Sequence, residues 1–120
     1  MPVQRFNSIE DLEFCDRYSI PLCLDTAHAA LCVNAGRISL MDFFGLPQSL
    51  IAHSHIAGAN GIDAEGVSLA EADVTCRALV EWVMHLPTLK ILETWQGHLS
   101  KGKGFTDDLV VLHALEPRLT

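Results

Sequence analysis

The chain has 120 residues, enough for one domain with a single core, and 49% of them are hydrophobic against 19% charged. These proportions exclude a disordered chain. The net charge of −7 disfavours nucleic-acid binding, which depends on attraction to phosphates, but it is compatible with a site for a divalent cation.

Two further features of the sequence bear on its surroundings. No apolar segment reaches the roughly 18 residues that a membrane helix requires, and the first residues lack a signal-peptide pattern, so we expect no membrane partner. The four cysteines (Cys15, Cys23, Cys32 and Cys76) contain no C-x-x-C pair. This scatter favours reduced thiols in the core and a cytoplasmic location.

Helical and strand patterns alternate along the chain. Ser8 is a good N-cap for the first helix, and Ser68 with Glu71 resembles a capping box for a later one. The 20–24 segment is a nearly continuous apolar run, which is typical of a strand covered on both faces. The predicted helices are 9–17, 26–33 (entered through a loop), 38–44, 68–85 and 107–114, the strands are 20–24, 49–56 and 89–93, and the intervening glycine-containing loops are 57–67 and 94–104.

Strands that alternate with helices predict βαβ units and therefore an α/β fold with a parallel sheet and right-handed crossovers. In parallel α/β folds the functional groups gather at the carboxyl ends of the strands. Each of the three predicted strands ends in metal-capable side chains, so we expect these side chains to form one site.

The first strand is followed by Asp25 and His28, three residues apart. A carboxylate and a neutral imidazole together suit Mn, Fe, Co or Zn, whereas Mg prefers more oxygen ligands. The alternative is structural: Asp25 caps the following helix and His28 is a hydrogen-bonded core histidine.

The second strand carries His53 and His55, which are two residues apart and therefore share a face, as Ile51 also should. His55, nearer the strand end, is the better ligand candidate, and His53 either binds the ion or lines the interior beside it. Asp63 and Glu65 in the following loop are further metal-capable groups, although exposed loop acids are usually solvated.

The third strand ends at Glu93, where a carboxylate is placed to bind a cation or move a proton. Trp95 and His98 follow, and Trp95 is either an apolar wall for a sugar ring or a core aromatic. Lys101 and Lys103, separated by a glycine, either cradle an anionic substrate group or are simply solvated.

These motifs resemble those of the xylose-isomerase-like (β/α)8 TIM barrels, which include sugar phosphate isomerases and epimerases and AP endonucleases of the endonuclease IV type. The resemblance covers about residues 7–115, and the segments 93–98 and 102–105 are similar to the sugar-epimerase branch. It rests on Leu24-Asp-Thr-Ala-His28 (the family's L-D-x-x-H), on His55 followed by Asp63 and Glu65, and on Ile91-Leu-Glu-Thr94.

The resemblance implies that the three strands match the sixth, seventh and eighth of such a barrel. It implies that Asp25, His28, His55 and Glu93 hold a divalent metal ion (Mn, Co, Zn, Fe or Mg), with His53, Asp63 and Glu65 as further ligands or neighbours of ligands. Glu93 is the implied catalytic acid/base, and a small sugar or sugar phosphate is the implied substrate, contacted by Trp95, His98, Lys101 and Lys103.

The resemblance also implies an incomplete barrel. A complete one takes roughly 250 residues, so 120 residues form a single partial-barrel domain of about the last three strands. The missing strands would come from a longer chain, from a separate partner chain or from other copies in a homo-oligomer. We therefore expect an isomerase or epimerase of carbohydrate metabolism that needs completion, or else a non-catalytic binding or assembly module derived from that family.

Overall fold

The computed structural model describes residues 6–93 and 99–115, and this part contains five helices, five strands and two short 3-10 turns. The turns span Gln48–Leu50 and Leu69–Glu71. In chain order the elements are α1 (Ile9–Tyr18), β1 (Leu22–Asp25), α2 (Thr26–Asn34), α3 (Leu40–Phe44), β2 (Ile51–Ile56), β3 (Gly58–Asn60), β4 (Ala64–Val67), α4 (Val74–Met84), β5 (Leu89–Leu92) and α5 (Leu99–Leu115).

The three predicted strands form one parallel sheet in the order β1-β2-β5. The α/β class and the parallel sheet predicted from the alternating pattern are therefore confirmed. The spatial order equals the order along the chain, so successive crossovers step in one direction. Crossovers of one hand that all step the same way place their helices on the same face of the sheet.

One face of this sheet is buried in the hydrophobic core. Leu22, Leu24 and Ile56 are almost completely buried there, together with Leu79 and Val83 of α4. Ser54 is buried on the same face, where its hydroxyl lies 3.2 Å from that of Thr88. The apolar area removed from water on this side is the main stabilisation of the sheet.

The opposite face, here called the open face, carries the side chains that alternate with the core residues. It becomes more exposed from β1 toward β5: Asp25 is 6% exposed, whereas Ile91 is 40% and Leu89 is 70% exposed. Its members are Cys23, Asp25, His53, His55, Leu89 and Ile91, with Glu93 directly after the last strand.

A bulge in β2 determines which residues reach the open face. Leu22 pairs with Ile51, but the next residue of β1, Cys23, pairs with His53, so Ala52 is an extra residue in β2. Ile51 therefore lies on the core face and is buried, and the expectation that it shares a face with the two histidines is wrong. Alternation alone could not reveal the extra residue.

The chain between β2 and α4 is more structured than predicted. The 57–67 segment was expected to be a loop, but β3 and β4 form an antiparallel hairpin there. The hairpin requires glycine at position 58, because a Cβ at Gly58 would lie 2.3 Å from the carbonyl oxygen of Val67. The hairpin packs against α2.

Two helix boundaries differ from the sequence prediction. The predicted Ser68 cap begins only a 3-10 turn, and α4 starts at Val74, where the side chain of Asp73 accepts a hydrogen bond from the amide of Cys76. Helix α2 begins directly at Thr26 without the expected loop, because Asp25 itself is the N-cap.

Helix α5 is also longer than predicted. It begins at Leu99 and includes the glycine-rich 102–104 segment that was expected to be loop. Gly102 has a φ of 79°, a left-handed conformation that glycine adopts without a Cβ penalty. Asp108 anchors this helix, since its buried carboxylate accepts a 3.0 Å hydrogen bond from the amide of Leu69.

The structure bears on two of the broader expectations. None of the helices in the described ranges is long and apolar enough to cross a membrane. The four cysteines are all buried and form no disulfide bonds, as predicted.

Candidate functional site

The register of the sheet brings three strand-end side chains together. Asp25 at the end of β1 pairs with His55 of β2, and His55 pairs with Ile91 of β5. Glu93 lies two residues beyond Ile91, and its amide donates to the carbonyl of Ile56 at 2.8 Å, which continues the β2–β5 ladder. Each of Asp25, His55 and Glu93 offers a potential ligand atom, and these atoms all lie within 4.8 Å of one another.

The contact between His55 and Glu93 is unusual for an ion pair. His55 Nδ1 lies 2.9 Å from Glu93 Oε2, yet this nitrogen is buried and has no partner in hydrogen-bonding geometry. Two ligands on neighbouring corners of an octahedron, each about 2.1 Å from the ion, are about 3.0 Å apart and point at the ion rather than at each other. The donor atoms therefore fit a shared cation.

The structure confirms Asp25 as a helix cap and also places it among potential metal ligands. Its Oδ1 accepts a 3.1 Å hydrogen bond from the amide of His28 and so caps α2. The same residue belongs to the group with His55 and Glu93. A carboxylate has two oxygens with about four acceptor positions, so capping leaves it able to bind a cation.

His28 lies outside this group. Its Nε2 is 2.6 Å from the carbonyl oxygen of Phe6 and 3.8 Å from the sulfur of Cys32, and its ring packs against that of Phe6. The structure thus places His28 as the alternative interpretation expected, hydrogen-bonded within the packing between α2 and the segment before α1.

A second group on the open face consists of Cys23, His53 and His55, whose potential ligand atoms also lie within 4.8 Å of one another. Cys23 and His53 are direct neighbours across the β1–β2 pair, and the His53 and His55 rings have centroids 5.2 Å apart. The sequence analysis placed Cys23 among reduced core thiols and did not connect it with the histidines.

Thr26 is a positioning residue that the sequence analysis missed. Its hydroxyl donates to the carbonyl of Ala57 at 2.8 Å and accepts from the amide of Ala57 at 3.0 Å, and all three groups are buried. These two hydrogen bonds join Thr26, which follows Asp25, to Ala57, which follows the end of β2. It therefore holds the ends of β1 and β2 in register beneath the site.

Cys76 lies behind the same corner, and its sulfur donates to the carbonyl of Ala57 at 3.5 Å. Burial raises the pKa of the Cys76 thiol to about 11, with smaller contributions from the charges of Asp73 and Asp25. At neutral pH this thiol is therefore protonated and serves as a packed donor rather than as a thiolate ligand.

The other candidate residues lie apart from these two groups or outside the described part. Asp63 is exposed in the hairpin turn and Glu65 is exposed on β4. Lys103 is exposed on α5, where its ammonium forms a 2.7 Å ion pair with Asp107. Trp95, His98 and the side chain of Lys101 fall outside the described residues.

Comparisons with protein-family models, with curated proteins and with solved structures found no match to this chain.

Proposed function

We propose that this chain is a sector of a (β/α)8 barrel, of the type seen in xylose-isomerase-like enzymes, that binds one divalent metal ion through Asp25, His55 and Glu93. In this proposal the completed site isomerises or epimerises a small sugar or sugar phosphate. The observation that carries the proposal is the buried Nδ1 of His55, which lacks a hydrogen-bond partner and lies 2.9 Å from a carboxylate oxygen.

The sheet supports the barrel part of the proposal. Strand order that follows chain order, with one face in the core and the other open, is the arrangement of neighbouring strands in such a barrel, where the second face lines the interior. A doubly wound sheet would instead reverse its strand order. The remaining strands would come from a longer chain, a partner chain or further copies.

The ligand chemistry supports the metal part. Two carboxylates and one imidazole suit Mn, Fe, Co or Zn better than Mg. A bound ion of this kind polarises substrate oxygens and stabilises negative charge that develops on them. We leave His28 out of the proposed ligand set because its Nε2 already contacts the carbonyl of Phe6.

Glu93 is the proposed acid/base. Its side chain is 46% exposed at the open edge of the site, and its Oε2 lies beside His55. The other carboxylate oxygen would take the proton from the carbon next to the substrate carbonyl and return it to the former carbonyl carbon. The hydroxyl proton would move from one of the two vicinal oxygens to the other, which completes an isomerisation. An epimerisation also needs a base on the opposite face of the substrate, which the other strands of the barrel would supply.

The metal site is tested by titrating the purified chain with Mn²⁺ and measuring bound metal by calorimetry and native mass spectrometry. We expect one ion per chain and a loss of affinity of at least about tenfold in Glu93→Gln. Glu81→Gln, which removes an exposed carboxylate from α4, is the matched control and should bind normally. Equal affinity in both variants would refute the ligand assignment.

The chemistry is tested by incubating the metal-loaded protein with aldoses, ketoses and their phosphates in deuterated water. Deuterium incorporation next to the carbonyl, measured by mass spectrometry, reports proton transfer without requiring complete turnover. We expect incorporation that Glu93→Gln abolishes. A metal-loaded, fully assembled protein that exchanges no sugar proton would contradict the enzymatic proposal.

Exposed apolar side chains favour a second candidate function, that of an assembly module without catalysis. Leu89 and Ile91 point from the open face into solvent, which is typical of a surface that another element covers. This candidate predicts stable association with copies or a partner, measured by sedimentation, together with no sugar proton exchange in the assembled state.

A further inference from the structure

The open face carries a second cluster of potential ligand side chains. It lies next to the proposed metal site, two residues earlier along β1 and β2. The sulfur of Cys23 and the ring nitrogens of His53 and His55 lie within 4.8 Å of one another. Cys23 is 7% exposed and the two histidines are half-buried, so the cluster sits largely out of water.

The β2 bulge is the reason that these three side chains meet. Because Ala52 is an extra residue, His53 is shifted onto the open face beside Cys23, its partner across the β1–β2 pair. His55 follows on the same face, and its ring lies next to that of His53. The cluster is thus built on paired strands of a sheet, whose backbone holds ligands more rigidly than a loop does.

This donor set differs in kind from that of Asp25, His55 and Glu93. A thiolate with two imidazoles is a soft set that selects Zn²⁺ or another late transition metal and is unsuited to Mg²⁺ or Ca²⁺. Three protein ligands with one open position is also the usual composition of a zinc site that retains a water or an exogenous ligand.

We propose that Cys23, His53 and His55 form a thiolate-type Zn²⁺ site. This site competes for the imidazole of His55 with the site of Asp25, His55 and Glu93 proposed above, here called the carboxylate site. Binding would release the Cys23 thiol proton to solvent as the sulfur–zinc bond forms. A neutral imidazole has one free lone pair, because its other nitrogen holds the proton, so His55 serves one ion at a time. Zn²⁺ in the thiolate-type site would therefore exclude Mn²⁺ from the carboxylate site.

Thiolate ligation is tested first with Co²⁺, which reports a bound thiolate by a charge-transfer absorption in the near ultraviolet. We expect this absorption in the wild-type chain and in Cys15→Ala, which removes a buried cysteine of α1 that lies outside the cluster. Cys23→Ala should abolish it while circular dichroism shows an intact fold. Absence of the absorption from the wild type, or its persistence in Cys23→Ala, would overturn the proposal.

X-ray absorption of the zinc-loaded wild type gives an answer that needs no variant. A zinc–sulfur distance of about 2.3 Å supports the site, whereas a shell of only nitrogen and oxygen at about 2.0–2.2 Å overturns it.

Competition is tested by adding Zn²⁺ to the Mn²⁺-loaded chain and following released Mn²⁺ by electron paramagnetic resonance. We expect one equivalent of Zn²⁺ to displace Mn²⁺ from the wild type, and Cys23→Ser to require at least about tenfold more Zn²⁺. Equal displacement in both proteins would overturn the shared-ligand proposal. The Glu93→Gln variant distinguishes failure of the carboxylate site from failure of the thiolate-type site. It should lose Mn²⁺ binding but keep the thiolate–Co²⁺ absorption.

Discussion

The hydroxyl of Thr26 donates to the carbonyl of Ala57 and accepts from the amide of the same residue. This reciprocal pair joins the start of α2 to the end of β2 across 31 residues of chain. Asp25 directly precedes Thr26, and His55 lies two residues before Ala57. These two hydrogen bonds therefore fix the distance between two proposed metal ligands.

Replacing Thr26 with valine should be strongly destabilising. Valine has nearly the same shape but leaves the buried amide of Ala57 without a partner and removes one donor from its carbonyl, at a cost of about 1–3 kcal/mol for an unsatisfied buried group. Thr26→Ser keeps the hydroxyl and is the matched control. Urea denaturation of the two variants measures the difference, and equal stabilities would show that the pair contributes nothing.

Two substitutions of Asp25 should separate its role in metal binding from its role as a helix cap. Asparagine is about as good an N-cap as aspartate, so Asp25→Asn should keep the stability of α2 while Mn²⁺ affinity falls at least about tenfold. Asp25→Ala should lose both, with a further cost of about 1 kcal/mol. Thermal melts without metal and calorimetric titrations measure the two effects, and unchanged Mn²⁺ affinity in Asp25→Asn would contradict the site.

His28→Ala should destabilise the fold without affecting metal binding. The substitution removes the contact to the carbonyl of Phe6 and the packing against the Phe6 ring, which we expect to cost about 1–3 kcal/mol. His55→Ala is the counterpart and should abolish Mn²⁺ binding. Loss of Mn²⁺ binding in a folded His28→Ala protein would return His28 to the ligand set.

Asp73 should make stability depend on pH in the acid range. Burial alone would raise its pKa, but hydrogen bonds from the amides of Cys76 and Gly61 and from the Asn34 side chain outweigh burial and lower the pKa. The carboxylate form therefore stabilises the fold above the ordinary pKa of 3.8, and this contribution is lost as the pH falls through the lower folded value.

The test of this dependence is Asp73→Asn. The amide oxygen can still cap α4, but an amino group replaces the second carboxylate oxygen and can accept neither the bond from Asn34 nor that from Gly61. We therefore expect a loss of about 1–3 kcal/mol at neutral pH and a flatter decline of stability with acid. Asp63→Asn removes one negative charge from the hairpin turn without disturbing these bonds and controls for net charge. An acid decline as steep as that of the wild type would contradict the role of Asp73.

The sequence was sufficient to predict the elements that depend on local pattern. The apolar run before Asp25 and the alternating helices indicated parallel strands, and the meeting of their carboxyl ends brought Asp25, His55 and Glu93 into one neighbourhood. Ser8 marked the start of α1 well, because its side chain caps the helix by accepting from the amide of Asp11, only three residues away.

The features that the sequence missed depend on distant partners. Asp73 replaces Ser68 as the cap of α4 because it also binds Asn34, which lies 39 residues earlier. His28 is turned toward Phe6, 22 residues away. The hairpin after β2 forms because α2 gives it a surface to pack on, and no spacing within 57–67 encodes that surface.

The extra residue in β2 has a consequence for how this chain tolerates insertions and deletions. Deleting Ala52 would remove the bulge and leave both imidazoles on the open face, because His53 would then follow Ile51 directly and lie on the opposite side of a regular strand. Deleting Ser54 instead would make His53 and His55 neighbours and turn one imidazole into the apolar interior, although every ligand residue would remain in the sequence. Between Ile51 and His55 the chain's chemistry is therefore encoded by residue spacing as much as by residue identity.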